Sequence, residues 1–69
     1  MILCSATVDL VRAGVARELS TYRVEVTGKA PHDYVRIYTI SARTEDLAAK
    51  EGLKRFGEDV APLIEQGNN

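Results

Sequence analysis

Tyr22-Arg23-Val24-Glu25-Val26-Thr27-Gly28, then Tyr34-Val35-Arg36-Ile37-Tyr38-Thr39-Ile40-Ser41-Ala42, then Thr44-Glu45-Asp46: these three segments decide the fold. In the first, Tyr22, Val24 and Val26 alternate with Arg23, Glu25 and Thr27, the period of two that a strand with one buried face requires. An irregularity is expected at its entry, Ser20-Thr21. Gly28-Lys29-Ala30-Pro31-His32-Asp33 supplies Gly, Pro and Asp within one short stretch and reads as a loop. The second segment, rich in β-branched and aromatic residues, reads as another strand with no polar face. Val35 and Ile37 point one way, and Tyr34, Arg36, Tyr38 and Ile40 the other. Thr44 followed by two carboxylates is a helix start, because the hydroxyl caps free amides and the acids meet the positive end of the helix dipole. From there Ala49, Gly52, Leu53, Phe56, Val60, Leu63 and Ile64 recur on one helical face, so Leu53 and Phe56 are expected in the core. Either Gly57 ends this helix or Pro62 kinks it, leaving a short final turn and a frayed tail over 66–69.

Working outward to the N-terminus, Ile2, Cys4, Ala6, Val8 and Leu10 fall on alternate positions, a third strand. A helix with Val8, Val11, Val15 and Leu19 on one face and Thr7 as its cap competes with it. That helix would carry Gly14 in mid-turn at a cost of about 1 kcal/mol, whereas in Arg12-Ala13-Gly14-Val15 the glycine can take the positive φ of a hairpin turn. The hairpin is the preferred reading. The expected fold is therefore α+β, a three-stranded antiparallel sheet with one C-terminal helix packed on one face (βββα), formed by a single small domain over residues 1–69.

The chain has 69 residues, 45% of them hydrophobic and 28% charged, with 5 Gly and 2 Pro, a composition that excludes collagen-like, low-complexity and disordered classes. A domain this small buries only about 60% of its unfolded surface, so a staple is expected. The single cysteine, Cys4, has no partner for an internal disulfide, and no Cys/His set has zinc spacing. Oligomerisation is the staple left, and a homodimer is expected. Because one helix covers only one sheet face, its contact should contain Tyr34, Tyr38 and Ile40, or else Val35 and Ile37 if the sheet is turned the other way.

Residues 1–43 carry six basic and four acidic side chains, and residues 44–69 carry three basic and six acidic, halves of +2 and −3 that give the net −1. A pI near 5.7 argues against a dedicated nucleic-acid binder. No apolar run approaches 18 residues and no signal-peptide pattern opens the chain, so no membrane association is expected, and one unpaired cysteine suits a reducing cytoplasm.

Chemistry-bearing motifs are sparse. Gly28-Lys29 resembles the end of a phosphate-binding loop, but residue 23 is Arg where that loop needs Gly, and residue 30 is Ala where it needs Ser or Thr. His32 beside Asp33 is turn chemistry, without a third group to orient the imidazole. Cys4, within a strand, reads as a small buried hydrophobe. No catalytic residue, cofactor site or metal site is assigned. The candidate site is instead a protein-binding surface formed by Tyr22, Arg23, Tyr34, Arg36, Tyr38 and Ile40, because Tyr and Arg bury a large flat area and keep a polar handle.

Segments 22–28 with 34–42, and 42–56, together resemble the strand-strand-helix unit of small accessory proteins encoded by bacteriophages and prophages, over about two-thirds of the chain and by pattern only. That resemblance implies an inhibitor or adaptor of a host protein. The same ββα tail is similar to that of the double-stranded-RNA-binding domain, which places lysines in the first turn of its last helix; Thr44, Glu45 and Asp46 stand there in this chain. The first expectation is thus a non-enzymatic protein-binding module that occupies a partner's surface. The alternative is a small nucleic-acid-binding module using Arg12, Arg17, Arg23, Arg36 and Arg43. One continuous arginine stripe would favour the second, and arginines paired with Glu18 and Glu25 the first.

Overall fold

A computed structural model describes residues 4–29 and 33–67, with side chains described as far as Leu63. Three strands, β1 (Cys4–Arg12), β2 (Ser20–Gly28) and β3 (Val35–Ala42), precede one helix, α1 (Glu45–Gly67). The strands form an antiparallel sheet in the order β1-β2-β3. This is the expected βββα arrangement, and residues 8–19 form a hairpin rather than a helix.

Register assigns the faces. Val24 stands between Val8 and Tyr38, Tyr22 between Leu10 and Ile40, and Val26 between Ala6 and Arg36. With a period of two, all of these share the face that α1 covers. The opposite face carries Ser5, Thr7 and Asp9, then Thr21, Arg23, Glu25 and Thr27, then Val35, Ile37, Thr39 and Ser41. The covered face and the helix bury Tyr22, Val24, Val26, Ile40, Ala48, Phe56 and Val60, with Cys4, Ala6, Val8, Tyr34, Tyr38 and Ala42 packed around them.

The helix starts as its sequence dictates. The Leu47 amide donates to Thr44 Oγ1 at 3.2 Å, the Ala48 amide donates to the Thr44 carbonyl at 3.1 Å, and Glu45 and Asp46 occupy the first turn. Its buried row is Ala48, Gly52, Phe56 and Val60. Leu53, expected in the core, is 37% exposed, and Ala48 rather than Ala49 is fully buried. The close approach at Gly52 explains the shift: a β-carbon there would lie 3.2 Å from Val24 Cβ and 3.6 Å from Ile40 Cδ1. The backbone itself touches the sheet along that row, so residues one step around the helix are turned outward.

Neither expected break occurs, and α1 runs unbroken through Gly57 and Pro62. Phe56 and Val60 clamp the turn that contains Gly57. Pro62 deprives only the carbonyl four residues earlier, at Glu58, of its donor, and both residues are exposed, so water serves instead.

The β1–β2 hairpin also departs from expectation. Gly14 does not have positive φ; Ala16 does, at 59°. A glycine is needed at 14 for space, since a β-carbon would run into the Glu18 carbonyl and lie 2.7 Å from that of Leu19. The Gly14 amide donates to Ser20 Oγ at 2.9 Å, and the Glu18 amide to the Val15 carbonyl at 3.1 Å. The irregularity expected at Ser20-Thr21 lies on the facing strand, where the register slips between Leu10 and Arg12 and leaves Val11 without a partner.

The last β2–β3 pair is Ser20 with Ala42, and Arg12 is the last β1 residue paired within the sheet, so residues 13–19 project beyond the three-stranded region as an arm. A helix of 23 residues is about 35 Å long, while eight residues of strand span about 26 Å, so α1 outruns β3. The result is an elongated body of 50 × 16 × 15 Å, with a radius of gyration of 13.5 Å against about 11 Å for a compact chain of this length.

Candidate functional site

The six residues expected to form one binding surface are divided by the sheet. Tyr22 and Ile40 are 6% and 2% exposed, sealed beneath α1, and this burial removes them from the surface of the folded chain. Their apolar character, shared with Tyr34 and Tyr38, is what draws the helix to that face. Tyr34 and Tyr38 are half-buried at the rim of the core. Arg36, between them, lies with its guanidinium 5.9 Å from the centre of the Tyr34 ring, a cation–π distance, and donates to the Val35 carbonyl at 2.8 Å. Arg23 stands on the opposite, open face, 3.7 Å from Asp9 and 3.5 Å from Glu25.

Tyr38 is the most constrained of these. Its hydroxyl donates to Asp59 Oδ2 at 2.7 Å, tying the edge strand to α1. Partial burial first, and then the hydrogen bond to Asp59 and that carboxylate's charge, push the phenol up to about 12, while Arg36 and Arg55 pull the other way. Arg55 is turned toward Glu51, one helical turn away at 3.7 Å.

With the tyrosine face covered, the remaining alternative, Val35 and Ile37, is the one exposed. They are 48% and 53% exposed on the open face, opposite Thr27 and Glu25 of β2. A larger apolar group was missed from the sequence. Leu10, Val11, Val15 and Leu19 are all exposed on or beside the projecting arm, and Val15 at 71% is the most exposed large hydrophobic residue among the described residues. Part of the signal was present in the competing helical reading, which placed three of these side chains, Val11, Val15 and Leu19, on one apolar face with Val8. In the hairpin Val11, Val15 and Leu19 lie outside the core, and Leu10, at the end of the covered face, is still 53% exposed.

The charges around the arm are basic and acidic together. Arg12 is 3.7 Å from Glu18, an exposed pair worth a few tenths of a kcal/mol at most, on the order of any such surface contact. Arg17, in the arm, and Arg43, just after the strand end that meets Ser20, have no ion-pair partner among the described residues. The arginines therefore form no single stripe. Arg12 stands at the base of the arm and Arg17 within it, Arg23 belongs to the open face and Arg36 to the covered face. Three of the five named have a carboxylate partner or lie over a tyrosine ring.

Among the described residues no pocket indents the surface, and no three of His, Cys, Asp and Glu gather as a metal set. Cys4 is half-buried and unpaired. His32 and its neighbours Ala30 and Pro31 lie outside the described residues, as do Ile2 and the side chain of Ile64. No described helix is long and apolar enough to cross a membrane. The fold and surface define a βββα protein with a projecting apolar hairpin. No protein-family model, curated protein or solved structure matches the chain.

Proposed function

We propose that this protein is a binding module that performs no chemistry of its own and acts by occupying a surface of another protein, with the β1–β2 arm as its principal contact. The observation that carries this is the position of its exposed apolar side chains: among the described residues, four of nine, Leu10, Val11, Val15 and Leu19, are concentrated in the ten-residue stretch that ends β1 and forms the projecting arm. An exposed apolar cluster of that kind is a binding surface or an aggregation liability. Fully burying one such side chain yields about 1.5–3 kcal/mol, so four half-exposed ones offer on the order of 4 kcal/mol, about a thousandfold in affinity. Arg17 and Arg43 flank the cluster, so the complementary surface is an apolar cleft with an acidic rim. The likeness to phage accessory proteins supports a host protein in the cytoplasm as the owner of that cleft. The dispersed arginines speak against the nucleic-acid reading, because phosphate binding needs cations gathered along one track.

The test is site-specific photo-crosslinking in the native cell, with a photoreactive residue at Val15 and, as control, at Lys50 on the outer side of α1. A discrete protein adduct from position 15 and none from position 50 is expected. Adducts to nucleic acid, or equal yields from both positions, would overturn the reading.

A further inference from the structure

The two edges of the sheet are not alike. β1 is guarded: its register breaks at Val11, and Asp9 and Arg12 stand on either side of the break. Bulges and charges of this kind prevent an edge from pairing with another strand. β3 has none of these devices. Its eight residues pair with β2 in unbroken register, contain no proline, and place Val35, Ile37, Thr39 and Ser41 on the open face, where no charge interrupts them. Its one charged residue, Arg36, lies on the other face two positions from Tyr38, whose hydroxyl is bonded to Asp59, and neither Arg36 nor Asp59 has an ion-pair partner among the described residues.

We infer that the β3 edge pairs antiparallel with β3 of a second copy about a two-fold axis at Ile37, forming a continuous six-stranded sheet. Antiparallel pairing about that point makes partners of residues whose numbers sum to twice 37. Ile37 then meets Ile37, and Val35 meets Thr39, on the open face, so apolar and β-branched side chains face one another without like charges. On the helix face Arg36 of each copy stands directly opposite Tyr38 of the other, whose hydroxyl is bonded to Asp59 at 2.7 Å. The unpaired cation of one chain thereby reaches the unpaired anion of its mate, twice by symmetry. A neighbouring register breaks this match: with the axis at Tyr38, Arg36 would oppose Ile40. Charge complementarity, and not the apolar residues alone, thus selects a second copy of this chain in this register. The assembly uses neither the arm nor its partner, so failure of the Val15 crosslink leaves it untouched.

Sedimentation equilibrium and cysteine crosslinking test the inference. The wild-type chain should sediment as a dimer. Ile37→Lys places two like charges at the axis and should weaken the dimer at least about a hundredfold. Because residue 37 is exposed in the single chain, the circular dichroism spectrum should not change. In a Cys4→Ser background, Ile37→Cys should oxidise to a disulfide-linked dimer, since paired antiparallel positions lie within disulfide reach, whereas Val35→Cys should not. A wild-type monomer at every concentration, a dimer indifferent to Ile37→Lys, or equal crosslinking from positions 35 and 37 would each overturn it.

Discussion

Replacing a helical glycine by alanine ordinarily stabilises a protein, and of two glycines of α1 only one should show that gain. Alanine at an interior helix position gains about 0.8–1 kcal/mol over glycine from backbone entropy and solvation. At Gly57 nothing lies within 4 Å of the new β-carbon, so the gain should be realised in full. At Gly52 the β-carbon would come within 2.5 Å of Val24 Cγ1 and 3.2 Å of Val24 Cβ. Val24 cannot give way easily: it is 0% exposed, and a β-branched side chain has little rotamer freedom. Overpacking of a closed core costs about 1–3 kcal/mol, which equals or exceeds the propensity gain. Gly52→Ala should therefore be neutral to about 2 kcal/mol less stable than wild type, and Gly57→Ala about 1 kcal/mol more stable. Propensity cancels between the two variants, so their difference, about 1–3 kcal/mol, measures the helix-sheet contact alone. Urea unfolding at one fixed protein concentration reads it directly, and thermal midpoints should separate by at least about 4 °C. Equal stabilisation by both alanines would refute the close packing of α1 on β2 at Gly52 and, with it, the reason given for the exposure of Leu53.

Two further outcomes follow from the core and its edge. Phe56→Ala should cost about 3–5 kcal/mol and abolish the cooperative thermal transition, because the largest fully buried side chain of so small a domain would be lost; a loss below about 1 kcal/mol would place Phe56 outside the core. Tyr38 should form its phenolate near pH 12 instead of 10, as followed by ultraviolet absorbance, and Asp59→Asn should bring that titration down. Since the folded protein raises this pKa above its unfolded value of 10.0, the associated stability is fully present below pH 10 and disappears as pH rises from 10 through about 12. A Tyr38 titration unmoved by Asp59→Asn would remove the hydrogen bond from the account.

Strand alternation in 22–28 and 34–42 and the Thr44-Glu45-Asp46 cap were readable from the sequence because each depends on residues within a few positions of one another. What depended on distant partners was not. The period of two gave two candidate faces for β3, and only pairing of Ile40 with Tyr22, and of Tyr38 with Val24, assigns the tyrosines to the covered one. Leu53 was expected inside because it has the helical spacing of Phe56, but the close approach at Gly52 is a fact about Val24, 28 positions earlier. Pro62 looked like a kink because local chemistry penalises it, but α1 continues through it at an exposed site where water can serve the deprived carbonyl. Gly14 illustrates the same limit: a glycine announces a special need without saying whether the need is for φ or for space.

The arm and the core share almost no side chains. Tyr22, Val24, Val26, Ile40, Ala48, Phe56 and Val60 determine whether the chain folds, while Val11, Val15 and Leu19 stand apart from them. Substitutions in the two groups should therefore add independently. The arm can thus be rewritten residue by residue with little loss of the folded state.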